Sequence, residues 1–197
     1  MNHPAAPTTT PPATGRRWSG AVLGLALLTT GLVAGLFFAF SCAVMPGLAR
    51  VDDRTFVETM QEINVAILNP VFYTAFMGSL ALCAVAAVQQ RRLGRRHVLR
   101  WVLAALVLHA LLFLVTSAIS VPLNEELADA GAAPRDPGAV RERFETPWVA
   151  WNVVRSVLSA GALVCLGAAV QRHGRAGAGT GEPHAAVSRA VHRASVR

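Results

Sequence analysis

Charge is scarce in this chain. Charged residues make up 15% of its 197 positions against 53% hydrophobic ones, and mean hydropathy is +0.44, which excludes a soluble globular domain of this size. Lysine is absent: all eighteen basic residues are arginine, a usage that fits a GC-rich genome and leaves activity open. The three cysteines, Cys42, Cys83 and Cys165, all lie in apolar runs without metal or redox spacing and read as inert small hydrophobes. No Glu-x-x-His pair occurs, and His109 is the one histidine in the middle of an apolar run, so the ligands of a di-iron bundle or a bis-histidine haem are missing. Glycine-rich phosphate loops and nucleophile elbows are missing too. No metal site and no cofactor are expected.

Four long apolar runs are present: Trp18 to Ala49, Ile63 to Gln90, Trp101 to Leu123 and Thr146 to Gln171. Each exceeds the ~20 residues a helix needs to cross ~30 Å of hydrocarbon. The first follows Arg16 and Arg17 as a signal peptide would, but it outlasts an h-region of ~7 to 15 residues and ends without a good cleavage site. The expected fold is therefore all-α, a bundle of four transmembrane helices over residues 18–171. A disordered tail is expected over 1–17 and a flexible basic tail over 172–197, whose stretch from His184 to Arg197 has the pattern of a weak basic helix on a lipid surface.

Charge placement orients the bundle. Ten of the eleven acidic residues fall after the first run (Asp52, Asp53, Glu58, Glu62) or after the third (Glu125, Glu126, Asp129, Asp136, Glu142, Glu145). Arg16, Arg17, Arg91, Arg92, Arg95, Arg96, Arg100, Arg172, Arg175, Arg189, Arg193 and Arg197 gather on the opposite side. Positive residues favour the cytoplasm, which puts both termini inside a cell membrane crossed several times. The net charge of +7 is thus a topology signal, and no nucleic-acid partner is expected.

Proline marks the outer side. Pro46 and Pro122 are expected to close the first and third spans, and Pro70 and Pro147 to open the second and fourth. A trace of duplication accompanies them: CAVAAVQ at 83–89 echoes CLGAAVQ at 165–171, and Ser41 precedes Pro46 by the same distance as Ser117 precedes Pro122. Small-residue stripes, Gly31, Gly35, Ala39 and Ala43 on the first helix and Ala75, Ser79, Cys83 and Ala87 on the second, are read as packing faces. In the first outer loop Thr55 and Glu58 form a capping-box pattern. Phe56, Met60, Ile63 and Ile67 follow at helical spacing, so a short amphipathic helix is expected over the outer mouth, as a lid or an interfacial anchor.

The costliest residue in the spans is Arg155, ~12 Å along a helix from Pro147. Trp148, Trp151, Asn152 and Arg155 share one helical face, with the guanidinium expected to lean toward Asn152 and Trp151 and to stack on an indole or pair with Glu62, Glu125 or Glu126. On the third span His109, Phe113, Thr116, Ser120 and Asn124 form a line from mid-membrane outward, and Asn64, Asn69 and Tyr73 stand at the start of the second. These residues outline a polar pocket in the outer half. Each also has a plainer role: Trp148 and Trp151 as interfacial belt, His109 as a helix-to-helix hydrogen bond, and Asn69 and Thr146 as caps.

The segments GLVAGLFFAFSCAVMPGL, MQEINVAILNPVF, VPLN and WVAWNVVR resemble, in order and spacing, the motifs of the anthrone oxygenase-like integral-membrane family, over about Gly31 to Val170. The resemblance implies a four-helix membrane bundle. It also implies an oxidoreductase-type activity, a cofactor-independent oxygenation of a lipophilic aromatic such as an anthrone. Such chemistry needs a base and donors to a developing oxyanion. Residue type and placement offer His109 as base, Arg155, Asn152 and Asn124 as donors, and Trp148, Trp151, Phe72, Tyr73 and Asn69 around the substrate. Two alternatives use the same pocket: a non-enzymatic membrane protein that binds or carries a small lipophilic molecule, and a structural membrane subunit. The expected partners are the lipid bilayer, a lipophilic small molecule and, in an oligomer, further copies of the chain.

Overall fold

The computed structural model describes residues 13–178, with side chains over 17–175. Among these residues the regular structure is entirely helical: α1 (Ala13–Ala39), a π turn (Phe40–Val44), α2 (Met45–Leu48), α3 (Asp53–Ala66), α4 (Pro70–Arg92), α5 (Arg96–Val115), a second π turn (Thr116–Ser120), α6 (Val121–Asp129) and α7 (Pro137–Ala178). Arg17–Leu48, Pro70–Arg92, Arg96–Asp129 and Pro137–Arg175 are long and apolar enough to cross a membrane, which makes this a multi-pass membrane protein by length and composition. Large apolar side chains such as Leu28, Phe38, Val107, Leu114, Val157 and Val164 point away from the bundle, as lipid contact requires. Helix α1 begins within the expected first tail and α7 runs on to Ala178 in the second; positions 1–12 and 179–197, including the 184–197 segment, lie outside the described residues.

The spans form a ring in which α1 and α5 each pack against α4 and α7. The ring has two unlike halves. Toward the arginine-rich end the core layers are small: Ala86, Ala87 and Ala169 with Leu23, Val98 and Val102, then Ala26, Cys83, Ala105 and Ala162 with Leu166. Toward the α3 end they are bulky: Val33, Phe37, Phe76 and Leu112, then Met45, Phe56, Val57, Met60, Leu127, Phe144 and Trp148. Small side chains let backbones approach where lipid supplies no hydrophobic drive between helices, and aromatic ones hold them apart. The stripe on α4 serves this packing through Ser79, Cys83 and Ala87. The stripe on α1 does not: Gly35, Ala39 and Ala43 face outward, and Ala26, Thr30, Val33 and Phe37 line the interior instead.

The prolines act differently from their expected role as helix ends. Pro70 does open α4, capped by the Asn69 side chain, which accepts from the Phe72 N–H at 3.0 Å. Pro46, Pro122 and Pro147 lie inside continuous helical paths. A helical proline lacks an N–H and its ring crowds the carbonyl four residues back. For Pro46 and Pro122 that carbonyl belongs to Cys42 and Ala118, each inside a π turn, where the wider helical path relieves the clash. The matched serine-to-proline spacing thus corresponds to two matched π turns.

Helix α3 is amphipathic and closes one end of the ring. Its cap is Asp52, not Thr55: Oδ1 accepts from the Thr55 N–H at 3.1 Å and Oδ2 from the Thr55 hydroxyl at 2.6 Å. Phe56, Val57 and Met60 are fully buried against Leu127, Phe144 and Trp148. Arg141 on α7 lies over the Phe56 ring at 4.5 Å and donates to Asp53 at 3.0 Å, to the Val51 carbonyl at 2.9 Å and to Glu145 at 2.7 Å. Gln61 donates to the carbonyls of Leu127 and Gly131 at 2.8 and 3.1 Å, fastening α3 to the end of α6.

Phe56→Ala removes a fully buried ring and is expected to weaken the attachment of α3 by about 3–5 kcal/mol, read as faster protease cleavage within α3 while the spans stay protected. The hydrogen bond from the Thr55 hydroxyl, and after it that from the Thr55 N–H, holds the Asp52 carboxyl below its ordinary value of 3.8. A depressed folded-state value contributes stability that is complete above the unfolded value and fades as pH falls through the folded one. Pepsin cleavage of α3 should therefore rise below about pH 4, and Asp52→Asn, which still caps but does not titrate, should remove this part of the pH dependence.

Candidate functional site

Helix α7 carries Trp148, Asn152 and Arg155 on its inward face, one helical stripe at positions i, i+4 and i+7. Arg155 is 5% exposed. Its guanidinium lies between two rings, 4.7 Å from the centroid of Phe37 and 5.2 Å from that of Trp148, and its Nη2 donates to Asn152 Oδ1 at 3.1 Å. The expected carboxylate partners do not reach it: among the described residues its contacts are aromatic faces and an amide, and the stacking indole is Trp148 in place of Trp151. A planar, weakly hydrated guanidinium suits such a sandwich as an ammonium would not.

The neighbours are fixed in turn. Asn152 Nδ2 donates to the Phe37 carbonyl at 3.0 Å and to Ser41 Oγ at 2.8 Å, tying α7 to the first π turn. Trp148 Nε1 donates to Asn124 Oδ1 at 2.9 Å, tying α7 to α6 just beyond the second. Both π turns therefore hold the stripe that carries Arg155, and the tryptophan expected as interfacial belt is buried.

These groups wall a cavity of about 90 Å³. Phe37 and Phe40 come from α1 and its π turn, Thr116, Ser120 and Asn124 from the second π turn and α6, Asn64, Ile67 and Leu68 from α3 and its exit, and Phe72 from α4. A larger cavity of about 350 Å³ lies between α3 and α6 and shares Asn64, Leu68, Val121 and Asn124 with the first, so the two form an inner chamber and a vestibule. Glu125 and Gln61 line the vestibule. Five buried polar side-chain atoms lack a hydrogen-bond partner among the described residues, and three of them, Asn64 Nδ2, Ser120 Oγ and Arg155 Nε, belong to residues around the inner chamber. Buried polar groups are nearly always paired, so three unpaired ones around one space mark a place suited to a ligand oxygen.

The structure brings together Arg155, Asn152, Asn124, Trp148 and Phe72, with Asn64, Thr116 and Ser120, of the residues singled out from the sequence. It leaves four outside the chamber walls. Asn69 is the cap of α4, Tyr73 is half exposed beside Phe72, and Trp151 is partly buried on the neighbouring edge of α7. His109 lies deeper, where Nδ1 faces the Ala105 carbonyl at 3.0 Å and Nε2 faces the Thr30 hydroxyl at 3.2 Å. A carbonyl only accepts, so in the neutral ring the proton is on Nδ1 and Nε2 accepts from Thr30. Phe113 also leaves the expected polar line to stack near Phe76. Phe37, Phe40 and Leu68 were not among the sequence candidates, and Glu125, expected only as an ion-pair partner of Arg155, lines the vestibule instead; the repeated serine-to-proline spacing, read from the sequence as a trace of duplication, marks the π turn at Phe40 and beside Phe37.

With this geometry in place, comparison with known proteins adds one finding. No curated protein matches the chain, and no solved structure does. A family model described as Anthrone oxygenase matches residues 70–165. That stretch contains VPLN and WVAWNVVR and leaves out α1, the first π turn, α2 and α3, which carry the first motif and most of the second. Across α4, α5, α6 and most of α7, the chain resembles the anthrone oxygenase family.

Proposed function

We propose that the chain belongs to this family and is a cofactor-independent oxygenase of the cell membrane, acting on a lipophilic aromatic of the anthrone type. The observation that carries this reading is the set of unpaired donors, Arg155 Nε, Asn64 Nδ2 and Ser120 Oγ, around an aromatic-walled chamber with no carboxylate in its lining. Donors fixed in a dry site stabilise negative charge that develops on oxygen far better than water-exposed ones do. The arginine-rich end, with Arg91, Arg92, Arg95, Arg96, Arg100, Arg172 and Arg175, supports placing both termini in the cytoplasm, which puts the vestibule and α3 on the outer side.

The two spaces suit the two parts of such a substrate. A ring system calls for ~300 Å³ or more, as in the vestibule, where dioxygen also meets the methylene carbon, and the chamber takes only a few atoms, such as the oxyanion. Proton removal from the activated methylene leaves an anion whose charge rests on the ring oxygen, held by the chamber donors. Dioxygen adds to the electron-rich carbon, and the resulting hydroperoxide loses water. In sum the methylene and one dioxygen become a ketone and one water. Glu125, the carboxylate that lines the vestibule, is the proton acceptor in this reading. His109, engaged by Ala105 and Thr30 away from the chamber, holds the helices together.

The second reading, a protein that binds or carries a lipophilic molecule without turnover, draws on that same placement of His109. The two part in one assay. The purified protein should consume one dioxygen per ketone formed from an anthrone, and Arg155→Leu, recovered as a stable membrane protein, should lose at least about 100-fold in rate. Binding without oxygen uptake would establish the carrier. Glu125→Gln is expected to lower kcat by about 100-fold or more with little change in KM, while His109→Gln stays within a few-fold of the parent. The opposite pattern would return the base to His109.

A further inference from the structure

A separate cavity of about 700 Å³ lies at the arginine-rich end, between the last turn of α4 and the first turn of α5. Its polar wall is Arg91, Arg96 and Arg100, its apolar wall Val88, Leu99 and Leu103, and no carboxylate lines it. Among the described residues these three arginines have no ion pair. Arg96 and Arg100 stand one helical turn apart, where like charges repel. Helix α5 begins there without a side-chain cap, after a link through Gly94 in the left-handed conformation at φ 68°, so its first N–H groups and its dipole also favour an anion.

A further observation makes the ligand more than a simple anion. Gln90, which lines the same cavity, is fully buried; its Nε2 donates to Ser19 Oγ at 2.6 Å, and its carbonyl oxygen has no partner. That oxygen needs a donor, which the phosphodiester of a lipid, carrying no O–H at neutral pH, does not supply. The apolar wall likewise suits a hydrocarbon chain.

We infer that this cavity binds an anionic phospholipid, with the phosphate against Arg91, Arg96, Arg100 and the start of α5, a head-group hydroxyl on Gln90, and an acyl chain along Val88 and Leu103. A glycerol head group, as in phosphatidylglycerol, meets all three requirements. Basic pockets between transmembrane helices on the cytoplasmic side are suited to such lipids. This inference rests on the membrane reading alone and is independent of any catalytic role.

The test uses the full chain in nanodiscs of phosphatidylcholine with or without phosphatidylglycerol, read by thermal unfolding and by native mass spectrometry of retained lipid. Phosphatidylglycerol should raise the unfolding temperature and remain bound. Arg96→Gln combined with Arg100→Gln should weaken retention roughly 10- to 30-fold and keep the parent's unfolding temperature in phosphatidylcholine. Arg92→Gln combined with Arg175→Gln removes as much charge from the same end outside the cavity and should leave retention unchanged. The inference is overturned if both double variants lose retention equally, if neither does, or if inorganic phosphate added to the detergent-solubilised protein reproduces the whole stabilisation.

Discussion

An arginine inside an apolar bundle has to be held without water, and the arrangement of the α3 half follows from how that is done here. Arg155 lies between the faces of Phe37 and Trp148 and bonds one amide, that of Asn152. A cation over an aromatic face gains ~0.5–2 kcal/mol, more as water is excluded, which alone does not offset burial of the charge. The rings must therefore be rigid and the remaining donor must stay directed at the chamber. Asn152 fixes α1 through the Phe37 carbonyl and Ser41, and Trp148 fixes α6 through Asn124. Taking away the guanidinium leaves the rings of Phe37 and Trp148 with nothing between them.

The division of the bundle into a close-packed half and an open half gives this site its location. Alanine layers around Ala26, Ala105 and Ala162 bring the backbones together, whereas phenylalanine and the two π turns separate them farther on. The opening that results would expose the chamber, and α3 covers it with Ile63 and Asn64, held in place by Phe56, Val57 and Met60, while leaving the vestibule beside Gln61 and Asn64. Cover and site thus share residues: Trp148 belongs to the core beneath α3 and to the stack on Arg155.

Much of this was legible in the sequence, for reasons that differ by element. The spans follow from hydropathy and length, α3 from its helical periodicity, and the grouping of Trp148, Asn152 and Arg155 from spacing on one helix. What spacing within a helix does not contain is the rotation of one helix against another. Asn124 and His109 fall on one idealised face of the third span, yet a π turn intervenes at Thr116–Ser120 and only Asn124 reaches the chamber. The outward turn of Gly35, Ala39 and Ala43 escaped for the same reason, since small residues mark a possible close approach without saying which face makes it. The helical course through Pro46 and Pro122 was hidden because a proline's effect depends on whether the turn before it can widen; Pro147 is carried inside α7 with no π turn before it.

The alanine layers also set the mechanics of the molecule. Helices pressed backbone to backbone near one end and spread by rings at the other resemble the arms of a pair of tweezers joined close to the arginine-rich end. A small rocking of α1 against α7 about Ala26 and Ala162 moves Phe37 and Trp148 farther than it moves Leu23 and Ala169, because they lie at a greater distance from the pivot. The bonds from Asn152 to the Phe37 carbonyl and to Ser41 act at the far end of that lever, where a brace resists such rocking most effectively.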